Sequence, residues 1–177
     1  FTFPDFQMAP TLEEYSNLLD IPIRTQIPFF PTKEIPSSEE IAKVLQLSKT
    51  DVEGNLKIKG GHHGFQLDFL LKKGHLAADK EDWGTFNLFL ACSIYGVVLF
   101  PNVPNFVDVN AIQIFSQKNP VPTLLGDFYH AIHTRNQKKG GLLWCCAPLL
   151  YIWFKSHLPT EGAFIDTKDT LRWSDRL

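Results

Sequence analysis

The chemistry-bearing residues of this chain fall into a few short clusters. His130 and His133 stand three apart, and Asp127 lies three residues before the first of them. On a helix that spacing turns both imidazoles toward one ion, as in carboxylate-histidine metal sites. No second Glu-x-x-His accompanies them, so a metal is not expected. His62 and His63 are adjacent in "KGGHHG", a glycine-rich run that lacks the spacing of a phosphate-binding loop. Capping or surface roles are expected for all the histidines.

Nucleophilic or cofactor chemistry finds little support. The three cysteines, Cys92, Cys145 and Cys146, form no CxxC pair. They sit in apolar runs, where cysteine behaves as a small hydrophobe. Burial there would raise the thiol pKa and keep the sulfur inert. Free thiols of this kind fit a reducing, intracellular compartment. Lys57, Lys59, Lys72 and Lys73 are the lysines a pyridoxal phosphate enzyme would need to draw on. None sits in a strand-to-helix phosphate turn. No catalytic residue and no cofactor is therefore expected. The remaining cluster is cationic: Arg135, Lys138 and Lys139 at the end of a predicted helix form a candidate patch for phosphate or a partner protein. Helix C-termini favour cations for purely local reasons, and Lys72 and Lys73 extend the patch only if the fold brings them near.

These clusters need elements to hold them. The net charge of −2 gives no overall basic field toward nucleic acid or an anionic membrane. "FTFPDFQM" alternates and reads as an N-terminal strand. Thr11 with Glu14, and Ser37 with Glu40, are capping boxes opening two helices. Leu12, Tyr15, Leu18 and Leu19 share the face of the first; Ile41, Val44 and Leu45 stripe the second. Residues 22 to 36 carry four prolines and read as an extended connector. "SKTDVEGNLKIKGGHHG" reads as a loop, and Phe65, Phe69, Lys72 and Leu76 as one line of the next helix. Residues 81 to 99 predict a long apolar helix closed by Pro101. After a short helix or turn at "VDVNAIQIFSQ", Leu124, Leu125, Phe128 and Ile132 line a further helix. Residues 141 to 157 predict a second apolar helix, kinked at Pro148.

The segment from Trp83 to Phe100 has no charge and approaches the length of a membrane span. Thr85, Asn87, Ser93 and Tyr95 dilute it, and residues 141 to 154 are too few to cross. A membrane-associated protein is thus a secondary alternative only. The expected fold is mainly α: a single helical domain over 1–160, with a small N-terminal β element and a polar segment at 161–177. The two apolar helices should pack on each other at its centre, with Leu90 and Leu150 in the core. Phe1 opens inside a strand and "LRWSDRL" ends without a stop, which predicts a fragment of a larger domain.

Three stretches also resemble a known family. Met8, Thr11, Leu12, Glu13, Glu14, Leu18, Leu19, Ile21 and Pro22 are similar to the opening of the plant mobile domain, also labelled aminotransferase-like. There Asp20 stands in place of the usual glycine. Leu99, Phe100, Pro101 and Asn102 resemble the end of that family's central helix. Gly140, Gly141, Leu142, Leu143, Trp153, Leu158 and Pro159 resemble its late helix. Pro148 and the sequence near Gly126 depart from the pattern, as in a divergent, legume-type branch. The resemblance implies a non-enzymatic, transposon-related nuclear module. It would act through protein contacts, some with a phosphatase-like partner, in silencing, gene regulation or development. A DNA-binding remnant of a transposase-like protein is the alternative.

Overall fold

A computed structural model describes residues 7–23, 28–29, 35–138 and 142–158, with no side-chain detail for Lys138. The chain is mainly helical with a small three-stranded sheet. The predicted strand at the N-terminus lies outside the described residues except for Gln7 and Met8, of which Gln7 makes an isolated β bridge. The segment 161–177 lies outside them as well.

Both capping boxes form as their spacing requires. In helix α1 (Leu12–Leu19) the Glu14 N–H donates to Thr11 Oγ1 at 3.3 Å, and Thr11 N–H donates back to Glu14 Oε2 at 2.8 Å. Helix α2 (Ser38–Leu45) repeats this with Ser37 and Glu40, at 3.2 and 2.8 Å. Each satisfies two backbone donors that a helix start leaves orphaned. α1 ends at Leu19, before Pro22 is reached, because Asp20 turns left-handed at φ +52°. Aspartate is among the few residues besides glycine that tolerate that region.

The stretch read as a loop is structured. Ser48 caps a third helix, α3 (Lys49–Asn55), by accepting from the Asp51 N–H at 3.0 Å. A hairpin follows: β1 (Lys57–Lys59) pairs antiparallel with β2 (His62–Gln66) through the two-residue turn Gly60–Gly61. Both glycines have positive φ, +59° and +82°, which is what a tight hairpin matching the strand twist demands. β2 then pairs antiparallel with β3 (Phe106–Asp108) on its other side. The small sheet is therefore internal to the chain, and Phe65 belongs to a strand.

Helix α4 (Leu67–Ala78) buries Leu70, Gly74 and Ala77, while Leu76 is 55% exposed. The predicted line through Lys72 and Leu76 faces solvent instead. Phe65 falls on β2 and not on this helix, and the face formed by Leu70, Gly74 and Ala77 packs on α5 (Trp83–Ile94), where Gly74 makes ordinary contact with Phe89. α5 continues into a π-helical segment, Tyr95–Leu99. Helix α6 (Val109–Ser116) follows β3, then α7 (Val121–Lys138) and α8 (Ala147–Ser156).

Two apolar clusters result. The first gathers Ile41, Leu45, Val52, Phe65, Leu70, Phe89, Cys92, Val107 and Ile112. The second gathers Tyr15, Phe100, Ile114, Val121, Leu124, Leu149 and Trp153. α6 stands between them, with Val109 and Ile112 in the first and Ala111 and Ile114 in the second. The two apolar helices thus do not form a mutual centre. α5 packs chiefly on α4, and α8 on α1; only the π-helical end of α5, through Tyr95 and Leu99, reaches the cluster that holds α8. The late helix also differs. It begins at Ala147, so Pro148 sits in its first turn, where a missing N–H costs nothing and no kink follows. Among the described residues no helix is long and apolar enough to cross a membrane.

Leu90 is 41% exposed, whereas its neighbour Phe89 is 2% exposed. Leu90 is therefore not the core residue that the sequence predicts. Leu90→Lys should change stability by no more than about 0.5 kcal/mol, while Phe89→Ala should cost about 3 kcal/mol or more. Urea melts followed by far-ultraviolet circular dichroism separate the two.

Candidate functional site

A cavity lies along one face of α7. Asp127, His130, Ala131, Thr134 and Arg135 repeat at three- and four-residue steps, so the helix itself aligns them. Asn102, Leu142 and Trp144 complete the lining around about 530 Å³. Beside that face, Val121 and Leu124 anchor α7 in the second cluster, and Phe128 is buried as well. Tyr129 ties the helix to α1's approach by donating to the Pro10 carbonyl at 3.1 Å.

The cavity has unlike ends. Asp127 and Arg135 are eight residues apart, about 12 Å along the helix axis. At one end burial pushes the Asp127 carboxyl up to about 6, with His130 pulling it weakly the other way. At the other, the Arg135 guanidinium donates to the Leu142 carbonyl. Trp144, 42% exposed, lies between Leu142 and the buried Cys145, whose thiol feels the Asp127 carboxylate. The strip 142–146 therefore runs back along α7 from its cationic end toward its acidic end.

Unfolding frees Asp127 to ionise at its ordinary value, 3.8, below the folded value of about 6. Stability must fall as pH rises between those values and stay lower above them. Asp127→Asn removes this loss. It should raise the melting temperature at pH 7.5 by the equivalent of about 1 to 3 kcal/mol, and leave it little changed at pH 4. Thermal melts of both chains at the two pH values check this.

The sequence candidates are dispersed by the fold. His130 faces the cavity, where Thr134 Oγ1 approaches its Nε2 at 3.5 Å. His133 pairs instead with the Gln137 amide at 3.0 Å, and it does not line the cavity. Among the described residues no three His, Cys, Asp or Glu side chains gather as metal ligands. Of the cationic patch, Arg135 lines the cavity, Lys138 ends α7, and Lys139 lies outside the described residues. Lys73 is held 3.0 Å from Asp51, and neither it nor Lys72 lines the cavity. Lys59 donates to the Pro104 carbonyl at 2.9 Å.

Cys145 and Cys146 precede α8 and are not within it, yet both are buried. Burial raises the Cys145 thiol to about 11, reinforced by Asp127, and raises Cys146 too; Cys92 is pushed up to about 12 by burial alone. Thiols so protonated are poor nucleophiles at neutral pH.

One cluster escaped the sequence reading. Asp108, 2% exposed, caps α6 by accepting from the Asn110 N–H at 2.7 Å. Its other oxygen lies 2.7 Å from His62 Nδ1 and 3.4 Å from the Asn102 amide. A buried carboxylate needs such partners. Asn102 thereby connects the sheet to the α7 cavity, since it also lines it. The available signal was an aspartate directly before an apolar-periodic run, "VDVNAIQIF", the pattern of an N-cap.

Compared with known proteins, residues 1–177 match the family described as a domain of unknown function, DUF7745. The chain belongs to the DUF7745 family. No curated protein matches it, and no solved structure does.

Proposed function

We propose that this DUF7745 chain is a non-enzymatic module that works through protein contacts, with the α7 cavity as its contact site. The observation that carries this reading is that Trp144 and Arg135 both line the wall of that cavity. Tryptophan and arginine are enriched among the few residues that dominate binding at protein interfaces, one by apolar area and the other by a planar set of donors. Leu142 adds apolar surface beside them and is 73% exposed. The nearby thiols, held protonated, favour contact over covalent chemistry. The likeness of three stretches to the plant mobile domain supports a transposon-related, nuclear role in silencing, gene regulation or development, with a phosphatase-like protein among the partners.

Proximity labelling by the tagged full chain in plant cells tests this. The expected result is nuclear signal and a reproducible set of labelled proteins that Trp144→Ala loses. Exclusion from the nucleus, or a labelled set that Trp144→Ala leaves intact, would count against it. A DNA-binding remnant predicts something different: a gel shift whose log affinity falls steeply with log salt and is weakened by Arg135→Gln.

A further inference from the structure

The charge layout of the α7 cavity restricts what can fill it. A small anion would engage Arg135 alone and a small cation Asp127 alone, so a ligand that uses both ends must carry both charges. A free amino acid carries both charges, but its ammonium and carboxylate are too close together to reach groups about 12 Å apart. An extended peptide reaches that far. Its residues advance about 3.3 Å each, and side chains at i, i+2 and i+4 share one face, so i and i+4 stand about 13 Å apart. The middle side chain then falls where the strip 142–146 presents Trp144.

We propose that the α7 cavity binds an extended segment of a partner protein bearing a basic, an apolar and an acidic side chain at i, i+2 and i+4. The basic group pairs with Asp127, the apolar group packs on Trp144, and the carboxylate pairs with Arg135. This rests on the reading of the chain as a protein-contact module and names the chemistry its partner must carry. The Arg135 bond to the Leu142 carbonyl leaves part of its five-donor fork for a carboxylate, since a single carbonyl cannot occupy the fork. Thr134 and the Asn102 amide add polar groups along the wall, suited to the peptide's backbone. Binding should weaken below about pH 6, as the carboxyl that meets the basic group takes up its proton.

Fluorescence anisotropy with labelled nine-residue peptides tests this on the full chain. Lys, Phe and Glu occupy positions 3, 5 and 7 of a Gly/Ser background in one probe, and the order is reversed in a second. A control probe has Lys and Glu adjacent. One of the spaced probes is expected to bind at least tenfold tighter than the control. Asp127→Asn should weaken that probe about tenfold, yet leave a version with Gln for Lys unaffected. Arg135→Gln should do the same with respect to Glu. Circular dichroism melts verify that both variants fold, and Lys57→Gln, remote on β1, should bind as the unmodified chain does. The proposal is overturned if spaced and adjacent probes bind alike, if an all-acidic probe binds best, or if the charge variants bind the spaced probe unchanged. Such a failure, with the labelled proteins still dependent on Trp144, removes the motif and leaves the contact reading. Tight, charge-dependent probe binding with no labelled proteins does the reverse.

Discussion

Trp153→Ala is expected to destabilise the chain by about 3 to 5 kcal/mol, enough to unfold many domains of this size. The side chain is 1% exposed in the second cluster, so truncation leaves a large cavity. It also removes one of the partners of the Glu14 carboxylate. The Trp153 indole N–H donates to Glu14 Oε2 at 3.0 Å, and His157 Nε2 lies 2.8 Å from Glu14 Oε1. The same Glu14 closes the capping box of α1. One acidic residue thus starts the first helix and clasps it to the last described one. Trp153→Phe keeps most of the apolar volume and loses the N–H bond, so it should cost only about 1 to 2 kcal/mol. Equilibrium urea melts rank the two variants; equal losses would mean that the clasp, and not the filled volume, holds α8.

The clasp also has a pH signature. Partial burial raises the Glu14 pKa, but the Thr11, Trp153 and His157 hydrogen bonds outweigh it and hold the carboxyl below its ordinary value. A group with a depressed folded pKa stabilises above its unfolded value and loses that stabilisation as pH falls through the folded one. Acid weakening below about pH 4.5 should therefore be blunted in Glu14→Gln, which keeps a cap at position N3 but cannot ionise. Asp127 acts with the opposite sign between pH 4 and 6.

The second large effect is expected at Gly64. A Cβ built there would lie 2.1 Å from the Val107 carbonyl oxygen and 2.8 Å from Phe106 Cε1. The carbonyl is backbone of the neighbouring strand and cannot swing aside. Gly64→Ala must push β3 from β2, disturb the buried Phe65 and Val107, and shift Asp108 away from His62. A loss of about 3 kcal/mol or more follows from overpacking and a strained sheet. Amide exchange should show the damage first at 62–66 and 106–108. Unchanged protection there would show that the strands are not so close.

Local signals in the chain were readable where one residue determines them. Thr11 with Glu14, and Ser37 with Glu40, announce helix starts because a hydroxyl and a carboxylate three residues apart satisfy orphan donors. The stripe through Leu124 and Phe128 announces α7. The Gly60–Gly61 hairpin carried a signal as well, two short runs around a glycine pair, but polar flanks made it look like a loop. The partners of α5 and α8 were not readable. A helix apolar on most sides does not say which side is inside, and Leu90 beside Phe89 shows how finely that choice falls. The α7 cavity was half visible. Asp127, His130 and Arg135 share a helical face in the sequence, whereas Asn102, Leu142 and Trp144 join them only through the tertiary fold.

Site-specific photocrosslinking tests the central proposal most directly, with a photoreactive residue placed at Thr134 inside the cavity or at Ile58, which is 68% exposed on β1. In nuclear extract, position 134 should yield a protein adduct that the best spaced peptide competes away, and position 58 should not. Adducts of equal yield at both positions, or a position-134 adduct indifferent to the peptide, would contradict the assignment of the cavity as the contact site.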